Sequence, residues 1–544
     1  MLLSSLHCYF TFSLFYKITV YALLENHLSA FTNQHHQHLF NQSSVGLEKE
    51  SLRVTADGRI AQTPHPSSLG AALTHPYITT DYSEALLEFI TPPDINLQTP
   101  LNFLNYIQSF VYQHLHQEIL WTNSMPCVLA GEASIPIAQY GSSNAGRMKT
   151  VYRNGLGYRY GRVMQVIAGI HFNYSFSENI WGFLHTLEGE KRTRRAVQND
   201  YYFRVIRNLQ RYGWLIPFLF GASPAVCKSF LSGRKTTLPE FDKHTYYKPF
   251  ATSLRMSDIG YQNRKEGKTG VKVVYDSLDS YVCSLSRAIE TPSPDYAKIG
   301  VVVAGEYRQL NSNILQIENE YYSTVRPKQP PTFLEKPIHA LQRRGVDYIE
   351  LRSLDINPFE PLGMTQEQIY FLHIFMLFCL LQDSPNIDEH EKQAINLNFM
   401  TVTHRGRDPQ LLLRRGDENI LLRDWATEIL VQMQQIACII DAQQTAPIYN
   451  PILNTYREMV HHPDLTPSAR VLAEMHDHKE GFHEFAKRYS LKHADYYRQL
   501  SIDAEKTQFF QQLAEKSLTE QTRLEAQPQA PFDTFLQTYF NQSL

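Results

Sequence analysis

Five short segments carry acidic, amide and imidazole side chains at alternate positions. Glu48 and Glu50 stand two apart in Gly46-Leu47-Glu48-Lys49-Glu50, and Glu88 lies in Leu86-Leu87-Glu88-Phe89, shortly after Asp81. His171 and Asn173 alternate in Gly169–Asn173. Gln316, Glu318 and Glu320 alternate in Asn313–Glu320, and Glu350 and Arg352 in Tyr348–Arg352. In a strand, residues i and i+2 share a face, so each pair would project together. The intervening residues are apolar, which predicts partly buried carboxylates. Buried like charges are costly unless a cation compensates them. Carboxylate oxygens with an imidazole suit Mg2+ or Mn2+, and Mg2+ commonly keeps substrate phosphates in its shell. Cations and aromatics accompany the acids at Tyr152-Arg153, Arg255, Tyr261, Tyr322, Arg326 and Arg352. Arg binds carboxylate or phosphate in a bidentate fashion. On spacing alone this is a metal-dependent site on a sheet, with no substrate specified.

Other chemistries are missing. Gly267-Lys268-Thr269 resembles the end of a phosphate-binding loop, but Gln262 occupies the position that needs glycine. No dinucleotide-binding glycine pattern, zinc-protease helix or serine-hydrolase elbow occurs. Lys plus Arg is 51 and Asp plus Glu is 54, so the net charge of -3 argues against a nucleic-acid binder. The six cysteines show no paired spacing and are expected to be reduced thiols of a cytoplasmic protein.

The elements that must position these residues form an α+β fold. Residues 45–360 have β-rich texture with helical insertions and turns at Asp57-Gly58 and Asn154-Gly155. Residues 25–40 suit a helix whose histidines, His35, His36 and His38, face solvent. The four prolines of 326–338 predict an irregular loop. From 361 onward helices are expected over 365–382, 418–444, 466–490 and 491–525. Thr365 and Gln368 suit a capping box ahead of the apolar run 369–381. That run would rise about 20 Å as a helix, too short for a bilayer. Residues 1–24 are apolar but interrupted by polar residues, and are expected to be an extension outside the fold. No composition shift divides 25–544, so one catalytic unit is expected, with the sheet-based site in 25–360 and a helical 361–544.

Several long motifs resemble glutamate–cysteine ligases of the proteobacterial type. They are GLEKESLRV (46–54), ALTHPYITTDYSEALLEFITPP (72–93), SMPCVLAGEASIPIAQYGSSNAGRMKTVYRNGL (124–156) and GIHFNYS (169–175). Further along come YFRVIRN (202–208), GWLIPFLFGASPAVC (213–227), FATSLRMSDIGYQN (250–263), NSNILQIENEYY (311–322) and DYIELRSLDINPF (347–359). The resemblance implies a curved, mainly antiparallel sheet of the glutamine synthetase-like type. It implies ATP-dependent joining of L-glutamate to L-cysteine through γ-glutamyl phosphate, the first step of glutathione synthesis. Matched motif by motif, Glu48, Glu50, Asp81, Glu88, His171 and Glu350 correspond to Mg2+ ligands, with Mn2+ as an alternative. Arg255 corresponds to a binder of substrate glutamate and Arg352 to a neutraliser of the transferred phosphoryl. Tyr152, Gln165, Tyr261 and Tyr322 correspond to the cysteine pocket. Tyr82 departs from the family's phenylalanine beside a metal ligand. The partners implied are glutamate, cysteine and ATP, with no nucleic acid or membrane, and a monomer is expected. No additional ligase domain follows, so the dipeptide alone is the expected product.

Overall fold

The computed structural model describes residues 22–260, 272–500 and 503–542. Its centre is an open sheet of seven strands: β1 (Ser44–Thr55), β2 (Ile78–Thr80), β3 (Leu86–Ile90), β4 (Glu118–Leu120), β5 (Ile170–Ser175), β6 (Val325–Lys328) and β7 (Tyr348–Leu354). The order is β6-β7-β5-β1-β3-β2, with β4 pairing the far end of β1, and every pairing is antiparallel. Alternation along β1 sends Glu48 and Glu50 to one face and Leu47, Lys49 and Ser51 to the other. Register then propagates the choice. Glu50 lies opposite Glu88 and Glu48 opposite His171, while Glu350 lies between Asn173 and Arg326. One register gathers the polar residues of five strands on a single face.

The other face is apolar. Leu47, Phe89, Ile170, Phe172, Tyr174 and Ile349 have no exposed surface. Helices α1 (Ala22–Asn33), α2 (Thr99–His114), α3 (Asn144–Tyr160), α4 (Arg194–Tyr212) and α5 (Gln366–Leu381) surround the sheet, with α2 against β1 and α4 against β6 and β7. Helix α5 is the buried helix expected from residues 369–381. Its Thr365–Gln368 capping box is formed, and its apolar side chains from Phe371 to Leu381 are fully buried. The last third is mainly helical: α6 (Leu422–Asp441), α7 (Tyr449–His461), α8 (Phe482–Gln499), α9 (Ala504–Ala526) and α10 (Phe532–Phe540). Among the described residues no helix is long and apolar enough to cross a membrane.

Several expectations are corrected. Leu24 in α1 is fully buried in the main core, so the fold begins before residue 25. Arg326–Lys328 are not loop: Pro327 sits in edge strand β6, where its missing N–H leaves no gap in the ladder. Residues 418–421 form a β-hairpin strand rather than helix, and the helices expected over 466–490 and 491–525 divide instead at 478–481 and around 500–503. Asn154-Gly155 is no turn but lies inside α3, where a Cβ on Gly155 would come within 2.1 Å of Gln316 Oε1. Glycine is there for close approach. His35 and His36 lie in the turn after α1 rather than on a helix. Gln316, Glu318 and Glu320 do not alternate along a strand, because Glu318–Glu320 forms a 3-10 turn. Cys127 and Cys227 are not reduced thiols. They form a disulfide with Cα atoms 5.4 Å apart, a proximity that a separation of 100 residues does not reveal.

Candidate active site

The polar face of the sheet floors a cavity of about 340 Å3. Glu48, Glu50 and His171 come from the two central strands, Glu88 from β3, and Asp81 from the turn after β2. Glu350 and Arg352 come from β7, and Arg326 and Lys328 from β6. A register shift in the β5–β7 pairing falls between Leu351 and Leu354, around Arg352. Such irregularities re-aim side chains beside active sites. The opposite wall mixes aromatic and apolar side chains with charged and amide ones. Helix α3 supplies Lys149, Tyr152, Arg153, Leu156 and Tyr160, and the turn after it Met164 and Gln165. The segment 317–322 supplies Ile317, Asn319, Glu320 and Tyr322.

His171 organises the floor. Its Nδ1 is 2.9 Å from Glu48 Oε2 and 3.7 Å from Glu350 Oε1, and its Nε2 is 3.7 Å from Glu50 Oε1. Asn173 Nδ2 donates to the other Glu48 oxygen at 2.8 Å, and the Gly169 N–H donates to Glu50 Oε2 at 2.6 Å. Lys328 Nζ lies 3.3 Å from Glu350 Oε1 and Arg352 Nη1 3.2 Å from Glu350 Oε2.

Burial, then the charges of Glu48, Asp81 and Glu50, pushes the Glu88 carboxyl well above the usual carboxylate range. Burial also raises Glu50, against the pull of His171. Glu350 behaves oppositely. Burial opposes its ionisation, but Lys328, Arg352 and His171 together hold it well below the usual range. Burial works against the Arg352 charge too, and Glu350 together with Tyr322, Glu50 and Glu48 more than offsets it, so the guanidinium is raised.

This donor set fits a divalent metal. One ligand atom each of Glu48, His171 and Glu350 lies within 4.8 Å of the others, in a cavity that also holds Glu50, Asp81 and Glu88. The burial and mutual repulsion that together raise Glu88 are what a bound cation would offset.

The structure brings Glu48, Glu50, Asp81, Glu88, His171, Glu350, Arg352, Tyr152, Gln165 and Tyr322 to one cavity. Arg255 is not among the lining residues. It lies behind the floor, with Nη2 donating to the Arg352 carbonyl at 3.1 Å and Nη1 3.5 Å from Asp355 Oδ1. Gly169 lets it approach, since a Cβ there would meet Arg255 Nη2 at 1.9 Å. Tyr261 and the Gly267-Lys268-Thr269 sequence lie outside the described residues. Tyr82 also lines the cavity, its hydroxyl buried against Gly157 of α3.

Sequence reasoning missed Lys149, Leu156, Tyr160, Met164, Asn319 and Lys328. Two signals were available. Tyr152, Leu156 and Tyr160 are spaced by four, one face of a helix. Lys328 is two residues from Arg326, one face of a strand.

An open antiparallel sheet with an acid-lined face, ringed by arginine and lysine, defines an enzyme that handles anionic, phosphate-bearing substrates. The family model described as glutamate-cysteine ligase matches residues 28–402. Glutamate–cysteine ligases of Alcanivorax borkumensis and Pseudomonas entomophila are 48% and 49% identical over 501 residues. The matches cover 91% and 92% of this chain and 95% and 94% of theirs. Among solved structures, a glutamate–cysteine ligase from Francisella tularensis in complex with AMP superposes with a TM-score of 0.85 at 34% identity, covering 92% of this chain and 97% of that one. A bifunctional glutathione synthetase from Pasteurella multocida gives 0.71 at 26% identity, covering 89% of this chain and 58% of that one. The chain belongs to the glutamate–cysteine ligase family.

Proposed function

We propose that the residues of this cavity divide the work of an ATP-dependent carboxylate–amine ligation among them. The chain is a glutamate–cysteine ligase: it forms γ-glutamylcysteine from L-glutamate, L-cysteine and ATP, in glutathione biosynthesis. In the first step a γ-carboxylate oxygen of glutamate attacks the terminal phosphorus of ATP and ADP leaves. The cysteine amine then attacks the resulting acyl carbon, loses a proton and expels phosphate. Neither step needs a protein nucleophile, which accounts for the missing hydrolase signatures.

Both reactants of the first step are anionic, so the chain's task is positioning and charge compensation. Arg352 faces the transferred phosphoryl, kept charged by Glu350 on the same strand. Arg255, behind Gly169, acts on the substrate glutamate indirectly, by bracing the Arg352 backbone from beneath the floor. Tyr152, Gln165, Tyr261 and Tyr322 wall the cysteine. Mg2+, with Mn2+ as an alternative, would be held by Glu48, Glu50, Asp81, Glu88, His171 and Glu350 and would neutralise phosphate oxygens. The enzyme acts as a monomer in the cytoplasm, where ATP and both amino acids are at hand.

The observation that carries this reading is the convergence of the six acidic and imidazole groups with Arg352 on one sheet face. Amine-dependent phosphate release tests it. Glutamate plus cysteine should release phosphate at least tenfold faster than glutamate plus ammonia. Equal rates would mean a ligase with another acceptor, and turnover without ATP a hydrolase.

A further inference from the structure

Helix α3 and the segment 309–322 form the wall opposite the sheet, and a buried network joins them. Arg159, on the last turn of α3, pairs with Glu320 at 2.8 Å, both side chains having no exposed surface. The same guanidinium donates to Gln309 Oε1 at 2.9 Å and to the Asn311 carbonyl at 2.7 Å, and it lies 4.1 Å from the centre of the Tyr296 ring. Glu320 is equally committed. Its Oε1 accepts from the Tyr160 hydroxyl at 2.7 Å and its Oε2 from the Gln316 N–H at 2.7 Å. Gln316 closes the circuit. Its Nε2 donates to the Tyr152 carbonyl at 3.2 Å, and its side chain fills the space that Gly155 leaves.

A buried ion pair is poor evidence for stability, because desolvation offsets the attraction. Its best-attested use is to specify one arrangement of two elements over its neighbours. Here α3 carries Tyr152, whose carbonyl accepts from Gln316 of the network, and the segment carries Tyr322, two residues beyond Glu320; both tyrosines line the cavity. Tyr160 and Glu320 are at once members of the network and lining residues of the cavity.

We infer that Arg159 and Glu320 are a positioning pair that sets the distance between the Tyr152 and Tyr322 walls, and so the size of acceptor amino acid the cavity accepts. The inference rests on the assignment of those tyrosines to the acceptor. With the pair intact, an acceptor one methylene longer than cysteine is excluded by wall spacing. With it loosened, discrimination falls before catalysis does.

The test uses full-length enzyme and three variants: Glu320→Gln, Tyr160→Phe and the double variant Arg159→Met/Glu320→Gln. Initial rates are measured against each substrate, with homocysteine as the longer acceptor, alongside thermal melts. Glu320→Gln should raise KM for cysteine at least tenfold, with KM for ATP changed less than twofold. The kcat/KM preference for cysteine over homocysteine should fall at least fivefold. Tyr160→Phe, which removes one hydroxyl and is expected to melt as the wild type does, should raise KM for cysteine about threefold. If Glu320→Gln does not fold, Tyr160→Phe and the double variant decide. Unchanged KM and unchanged preference in the folded variants would overturn the inference. So would a parallel loss of affinity for all three substrates, the mark of a merely structural role. A wild-type enzyme that releases no phosphate with cysteine would instead sink the reading of the site, a result visible before any variant is made.

Discussion

The two faces of the central sheet are built from the same strands and obey opposite rules. On the cavity face, Glu48, Glu50, Glu88, His171 and Glu350 line one cavity, where burial raises the Glu50 and Glu88 carboxyls while Lys328 and Arg352 help hold Glu350 ionised. On the back face, Leu47, Phe89, Phe172 and Ile349 pack without exposed surface. The exception on the back face is instructive. Lys49 points away from its acidic neighbours and is 5% exposed, donating to Gln108 and to the Pro361 carbonyl, and burial pushes its ammonium down to about 7. The front face thus trades stability for charge density, while the back face supplies the stability that permits it.

Substitutions on the two faces should therefore separate activity from stability. The largest effect belongs to the front. Glu350→Ala should lower kcat/KM by about a thousandfold or more, roughly 4 kcal/mol of transition-state stabilisation, while the thermal melt stays near wild type. Near-wild-type turnover would remove Glu350 from the site. Phe172→Ala, on the back of the same strand as His171, should cost about 3–5 kcal/mol of stability through a buried cavity. Its residual folded enzyme should keep KM for ATP. A large change in KM with an unaltered denaturation midpoint would erase the distinction between faces.

A third effect is pH-dependent and lies behind the back face. His373 of α5 sits 2.9 Å from the Tyr174 hydroxyl, and burial pushes its imidazole down to about 4. A folded value below the unfolded one means that the unfolded chain binds more protons between about pH 4 and 6.5. Its contribution is therefore complete above about 6.5 and lost as pH falls toward 4, worth about 3 kcal/mol. Melts of His373→Gln should fall less steeply over that window than those of the wild type, and parallel curves would discount it. The smallest effect returns to the front. Adding Mg2+ at about ten times its dissociation constant should stabilise the fold by about 1.4 kcal/mol. The increment should vanish in Glu350→Ala and survive in Phe172→Ala. An increment of equal size in Glu350→Ala would detach the cation from this face.

The parts of the site legible beforehand were those on strands. Glu48 with Glu50, His171 with Asn173, and Glu350 with Arg352 were paired by a period of two, and β1, β5 and β7 keep each pair on one face. The long buried helix α5 was equally plain, because an apolar run with a capping box leaves few alternatives. Legibility failed where tertiary contact overrode local signal. Asn154-Gly155 has turn chemistry yet lies within a helix, and its glycine serves the close approach of the Gln316 side chain. Four prolines indicated a loop, yet Pro327 is compatible with an edge strand, and that strand delivers Arg326 and Lys328 to the cavity. Arg255 had a role by resemblance, and only the packing under Gly169 showed that it stands behind the floor.

By itself, then, the sequence determined which side chains share a strand face, which helix is buried and which family motifs recur. These depend on period and local chemistry, which act over a few residues. Strand order and register, the Cys127–Cys227 link and the Arg159–Glu320 network were decided only by the tertiary structure. Each joins groups whose separation along the chain carries no information about distance in space, and whose energies exist only once both partners are buried together.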